Sequence, residues 1–252
     1  MSSYLNRFSS RVENYIKYRP GYPSETLDIL KHKCELTKDS VIADVGSGTG
    51  ILSEIFLRNG NKVFGIEPNA PMRLAGEELL KSFENFVSIE GAAEATTLEP
   101  QSVDFITAAQ AFHWFKRNEA KSEFKRILKP NGWVVLIWNE RLIDSTTFLR
   151  SYESLLLRYG TDYQEIRHEN VEPEIAEFFA PAGFQLTTLP NSQHFDFEAL
   201  KGRVYSSSYA PEPGHPNFEP LMSGLAESFN AHNHDGIVEF EYETKIFYGR
   251  VT

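Results

Sequence analysis

Ten residues, Val41-Ile42-Ala43-Asp44-Val45-Gly46-Ser47-Gly48-Thr49-Gly50, restrict the fold more than any other stretch of the chain. The apolar run at their start reads as a buried parallel strand. Three glycines at alternate positions then open a helix expected over 51–59. Glycine lets the backbone turn sharply and pass close to a ligand, and a helix start offers unpaired N–H groups to it. Strand, glycine turn and helix together describe a cofactor-binding turn. The dinucleotide fingerprint G-x-G-x-x-G is not met. The third glycine arrives one residue early, and Ile51 stands where that fingerprint has Gly or Ala. Asp44, two residues before the first glycine, would repel a pyrophosphate and suit a cationic ligand.

A second acid follows. Lys62-Val63-Phe64-Gly65-Ile66-Glu67 reads as the next strand, with Glu67 at its end. It lies about twenty residues beyond the first glycine, where a ribose-binding carboxylate is expected. A carboxylate accepts from both ribose hydroxyls, so this position indicates a nucleoside without choosing which. A sulfonium and an ammonium, the cationic groups of S-adenosylmethionine, suit the acidic turn. Here the sequence resembles the Rossmann-like S-adenosylmethionine-dependent methyltransferases, whose first motif D-V-G-S-G-T-G matches Asp44 to Gly50. The resemblance implies a cofactor site holding Asp44, Gly46, Gly48, Gly50 and Glu67, and an in-line displacement of the methyl group.

Further segments carry the resemblance. Gly91-Ala92-Ala93-Glu94 follows the third strand, and Ala93 and Glu94 match the positions that the family sets beside the adenine ring. Ala111 to Phe115 match its A-x-H-W-F segment. That match implies that Gln110 and Ala111 line the cofactor, while His113 and Trp114 face the acceptor. A neutral amine or hydroxyl acceptor needs a proton acceptor, and His113 is the candidate for that role. The run Y-x-x-Y-R-P-G-Y-P, Tyr15 to Pro23, resembles the start of small-molecule methyltransferases of the trans-aconitate and ubiquinone-biosynthesis-like type. Tyr15, Tyr18 and Arg19 are therefore expected in a substrate pocket, with rings beside the sulfonium and Arg19 on a carboxylate. Alternatively they only anchor the first helix. The matches cover roughly residues 8 to 140; no motif beyond them names a substrate.

Strands are expected at 41–45, 63–66, 86–89, 103–107 and 134–138. Helices alternate with them at 51–59, 70–80 and 118–128, the last capped by Asn118 and stopped by Pro130-Asn131-Gly132. Such alternation gives a parallel sheet covered on both faces. Earlier, Phe8, Arg11, Tyr15, Tyr18 and Arg19 form an aromatic, basic stretch, and Ser24 can cap a helix bearing Leu27 and Leu30. Later helices are expected at 144–159, 172–179, 198–206 and 218–230, and extended chain at 185–197 and 236–251. Within the last stretch Glu239, Glu241 and Glu243 occupy an outward face by period two. The family resemblance implies an α/β fold with a seven-stranded, mostly parallel sheet whose last strand is antiparallel. One methyltransferase domain over 1–252 is expected. It comprises an N-terminal cap (1–35), a cofactor-binding core (36–140), a strand plus helical insert (141–235) and a final strand (236–252).

With 252 residues, 41% of them hydrophobic, the chain can build one large α/β domain. No membrane span is legible, Met1 to Arg7 does not read as a secretory signal, and Cys34 is the single cysteine. A cytoplasmic protein is expected. The formal charge of −10 lacks the basic footprint that nucleic acid requires. The expected partner is a small-molecule substrate, with neither nucleic acid nor membrane, and the chain a monomer or homodimer. His215, His232 and His234 lack zinc-ligand spacing, so no metal is expected. Two other readings stand beside methyl transfer: an NAD-dependent oxidoreductase on a similar sheet, and an S-adenosylmethionine-binding protein without catalysis.

Overall fold

The computed structural model describes residues 12–163 and 171–251. Phe8 and Arg11 lie outside the described residues. The elements run α1 (Val12–Tyr18), α2 (Glu25–Cys34), β1 (Val41–Val45), α3 (Ile51–Asn59), β2 (Lys62–Ile66), α4 (Ala70–Leu80), β3 (Phe86–Ile89) and β4 (Val103–Ala109). A 3-10 turn, Phe112–Trp114, precedes α5 (Arg117–Ile127) and β5 (Leu128–Arg141). Then come α6 (Thr147–Tyr159), α7 (Val171–Phe179), β6 (Phe184–Phe195), α8 (Phe197–Tyr205), α9 (Phe218–His232) and β7 (Val238–Gly249). Seven strands form one sheet in the order β3-β2-β1-β4-β5-β7-β6, mostly parallel with β7 antiparallel.

The chain divides into two compact units. One comprises Gly21–Asn139, Asn170–Leu189 and Thr244–Thr252; the other Met1–Pro20, Glu140–Glu169 and Pro190–Glu243. In the first, strand residues alternate between two apolar layers, as period two requires. Ala43, Val45, Ile106, Ala108, Val134 and Leu136 pack with Phe124, Ile127, Phe178 and Phe179. Ile42, Phe105, Val135 and Ile137 pack instead with Leu30, Leu52, Phe56 and Leu80. Helices thus cover both faces of a parallel sheet. The second unit has its own core, in which Tyr152 and Leu156 of α6, Leu221 and Leu225 of α9, and Phe240 and Tyr242 of β7 meet.

Several local expectations are corrected. The helix expected from Asn118 starts at Arg117 behind Lys116, whose N–H donates to Glu94 Oε1 at 2.6 Å. The helix ends at Ile127, just ahead of Pro130-Asn131-Gly132 as expected, but these three residues lie inside β5 rather than in a connecting turn. Val103 pairs with Leu128 and Phe105 with Trp133, so the extra residues, with Asn131 at φ 65°, form a bulge inside β5. Ser24 occupies the cap position of α2 but makes no side-chain cap bond; its hydroxyl donates to Glu25. The helix expected from residue 144 starts at Thr147, because Thr146 accepts from the Leu149 N–H. Glu239 is exposed and Glu241 and Glu243 half-buried, alternating with buried Val238, Phe240, Tyr242 and Thr244.

Candidate active site

Strand register determines which loops meet. Val45 pairs with Ile66 and Ile66 with Ile89, so β1, β2 and β3 end level. Ligands of open α/β sheets bind at these carboxyl ends. Gly46, Gly48 and Gly50 all adopt left-handed φ, 70°, 57° and 85°. A Cβ on Gly50 would overlap the Leu80 side chain, and one on Gly46 would lie 2.6 Å from Ala111 Cβ. At Gly48 the nearest atom would be Met72 Cε at 3.4 Å, an ordinary van der Waals contact, so a Cβ there would not clash with the protein.

Both acids hold this turn. Asp44 pairs with Thr107 across β1 and β4, which sets the Thr107 hydroxyl 2.9 Å from its carboxylate; Ser53 Oγ donates to the other oxygen at 2.6 Å. Burial pushes the Asp44 pKa up to about 6, although both hydroxyl donors oppose the shift. Glu67 accepts from the Gly48 N–H at 2.9 Å and the Asn69 N–H at 2.8 Å. Burial raises its pKa too, against those two backbone bonds and the Arg73 charge. Asn69 caps α4, accepting from Met72 N, with Pro71 just inside the helix. Ser53, Asn69 and Thr107 were not legible as site residues. The cap pattern Asn69-Ala70-Pro71 is the signal that would have found Asn69; partners made only by register leave none.

The other loops complete the edge. Ala93 is buried, and Glu94, whose carboxylate holds the start of α5, is half-buried. Gln110 sits at φ 54°, a conformation costly for a residue with a Cβ. Its N–H donates to Ile137 O and its side-chain amide to Asn139 O, both at 3.0 Å. Asn139 in turn donates to Gly21 O at 3.0 Å and accepts from Thr244 Oγ1 at 2.6 Å. It is a positioning residue that sequence reasoning missed. Ala111 abuts Gly46, as above. The His113 ring is half-buried, 4.5 Å from the Trp114 ring and 6.5 Å from Trp138 between centroids. Trp114 is 39% exposed. These residues all belong to one unit.

Tyr15, Tyr18 and Arg19 belong to the other. The Tyr18 ring occupies the space that a Cβ on Gly202 would need, and its carbonyl accepts from Gln193 Nε2 at 3.3 Å. Arg19 stacks on Tyr15, 5.1 Å from the ring centroid, and donates to Ser206 O at 2.8 Å. Among the described residues no three His, Cys, Asp or Glu side chains cluster as metal ligands, and no helix is long and apolar enough to cross a membrane. His232 Nδ1 contacts Ser228 O at 2.8 Å, and His215 Nδ1 accepts from Asn217 N at 3.1 Å.

This edge fits the nucleoside-bearing sulfonium that the motif implies. Each Glu67 oxygen retains lone pairs for ribose hydroxyls beyond its backbone bond. Gly48 leaves room where a side chain would stand. Thr49 Oγ1 is buried without a hydrogen-bond partner among the described residues, as is Trp138 Nε1 at the end of β5.

Residues 43–136 match the family described as methyltransferase domain. An uncharacterized methyltransferase-like protein of Schizosaccharomyces pombe is 28% identical over 250 residues, 96% of this chain and 94% of that protein. A second uncharacterized methyltransferase of the same yeast is 34% identical over 135 residues, 53% of each chain, so the match spans about half its length. The fold is that of a provisionally assigned type II methyltransferase from Anaeromyxobacter dehalogenans, with TM-score 0.67 and 20% identity over 93% of this chain and 98% of that one.

Proposed function

We propose that the chain is an S-adenosylmethionine-dependent methyltransferase that methylates a small-molecule acceptor, a reading supported by the match of residues 43–136 to the methyltransferase domain. The carrying observation is the meeting of the glycine turn with Glu67, whose carboxylate takes the Gly48 N–H at 2.9 Å on the carboxyl edge of a methyltransferase sheet. When bound, the cofactor supplies an electrophilic methyl group. Glu67 would hold the ribose, Ala93 and Glu94 the adenine, and Gln110 and Ala111 the rim of the site. Asp44 keeps β1 and β4 together through Thr107 and places negative charge near the turn. His113 would accept the proton of a neutral acceptor; an anionic acceptor needs no base.

A small acceptor is supported by the charge of −10, which disfavours a polyanionic partner. The N-terminal run Tyr15 to Pro23 supports an acceptor like those of the trans-aconitate and ubiquinone-biosynthesis-like group. The test is S-adenosylhomocysteine formation by the full chain against small acids, phenols and amines, with bulk RNA, DNA and histone in parallel. At least one small molecule is expected to turn over, with the macromolecules unlabelled. Salt-sensitive labelling of RNA as the dominant product would overturn the reading.

A further inference from the structure

The unit that holds α1, α6, α8 and the start of β7 gathers three arginines, Arg203 buried and Arg19 and Arg141 half-buried, with one carboxylate, Glu153, among them in the described residues. Arg203 is 5% exposed, and the Arg141 side chain 10%. Arg141 binds Glu153, and both meet Tyr163: Arg141 Nη2 donates to its hydroxyl at 2.9 Å, and that hydroxyl donates to Glu153 at 2.6 Å. Arg19 and Arg203 have only neutral partners among the described residues. Arg19 donates to Ser206 O at 2.8 Å; Arg203 donates to Ser207 Oγ at 2.9 Å and reaches Tyr242 OH at 3.4 Å. Ser206 and Ser207 are adjacent, so these two guanidinium groups converge on the end of α8. Tyr209 follows, its ring 4.8 Å from that of Tyr163, which carries the cluster back to Arg141.

Among the described residues the cluster is incomplete: Arg19 Nε, Arg141 Nη1 and Tyr152 OH are buried without hydrogen-bond partners there. The Tyr152 ring lies under Arg141, 4.9 Å from the guanidinium carbon, and the side chain is 1% exposed. Unpaired buried donors and uncompensated charge are both costly, and the same missing partner would answer both. Burial alone would push the Tyr209 hydroxyl up, but the charges of Arg203, Arg141 and Arg19 outweigh it and its pKa falls. Arg141 reaches Tyr163, whose ring meets Tyr209, and Arg19 and Arg203 donate to Ser206 and Ser207 just before it, so all three guanidinium groups border the segment 206–209. Arg19 itself is pulled down, by burial first and by the Arg203 charge second.

We propose that Arg19, Arg141 and Arg203, with Tyr152 and Tyr209, form a binding site for a small dianion. Three guanidinium groups less the Glu153 carboxylate leave two positive charges among the described residues, the complement of a dicarboxylate or a phosphomonoester. Guanidinium forks suit either oxyanion. The site rests on its own geometry within one unit and is independent of the methyl-transfer reading.

The test is calorimetric titration of the full chain with succinate, inorganic phosphate, acetate and the neutral succinamide, alongside S-adenosylhomocysteine. Succinate or phosphate is expected to bind at least tenfold more tightly than acetate, with succinamide undetected, and whichever dianion is preferred identifies the source of the charge. Arg19→Gln and Arg203→Lys should each weaken the dianion at least tenfold and leave S-adenosylhomocysteine affinity unchanged. The latter also shows that each variant is folded. Dianion binding no better than that of succinamide, or unchanged dianion affinity in a variant that still binds S-adenosylhomocysteine, overturns the site. If the dianion binds while S-adenosylhomocysteine does not, the site stands and the methyl-transfer reading falls.

Discussion

At the scale of single residues, two buried carboxylates, Asp44 and Glu67, dominate the charge at the proposed cofactor edge. Asp44 ionises near pH 6 in the folded protein, above its ordinary 3.8, because burial penalises the charge more than Ser53 and Thr107 relieve it. The folded chain therefore holds this proton more tightly than the unfolded chain. Its favourable share of stability is complete below about pH 4 and is lost as pH rises through 6, about 3 kcal/mol in all for a shift of about two units. Asp44→Asn removes that titration, so urea denaturation at pH 4 and pH 7 should show the variant gaining on the parent as pH rises. A pH-independent difference would contradict the assigned shift. For Glu67→Ala the expected outcome is S-adenosylhomocysteine affinity weaker by about 1–3 kcal/mol, read by calorimetry; parent-like affinity would move the ribose contact elsewhere. Both acids were legible from their spacing to the glycines. Their hydroxyl and amide partners were not, because Thr107 and Ser53 reach Asp44 through strand register and a helix turn. Single-sequence patterns carry no such pairing.

At the scale of elements, the glycine turn separates two effects that sequence alone treats as one. Gly50 is required by packing, since a Cβ would enter Leu80; Gly48 is open apart from Met72 at 3.4 Å. Gly50→Val should lower the melting temperature, by overpacking of about 1–3 kcal/mol together with left-handed backbone strain. Gly48→Val carries the strain without a comparable clash, so it should stay folded and lose S-adenosylhomocysteine binding. Equal melting temperatures for the two variants would remove the distinction. In the other unit, Gly202→Ala should displace Tyr18 from α8 and lower stability, as thermal denaturation would show. The alternation of strands and helices was readable from periodicity and caps up to β5. The bulge at Asn131 was not, because Pro-Asn-Gly marks a turn wherever it occurs, whether between elements or within one. Element ends at Thr146 and Asp196 follow side-chain caps, with Asp196 accepting from Ala199 N, and a closer reading of cap residues would have found them.

For the whole molecule, the division into two units, each assembled from three separated stretches of chain, was not legible. The arginine–tyrosine cluster gathers residues from position 19 to position 242, and no spacing links them. The strand-end loops at which the cofactor site is proposed follow successive strands, so sequence order and spatial order coincide there. On the proposed function, the edge built on Gly46–Gly50 and Glu67 takes S-adenosylmethionine rather than a nicotinamide dinucleotide. The most direct measurement is equilibrium titration of the full chain with S-adenosylhomocysteine and, separately, with NADH, repeated on Gly48→Val. Saturable binding of S-adenosylhomocysteine, lost in the variant and absent for NADH, is the predicted result. Tight NADH binding with none of S-adenosylhomocysteine would contradict it.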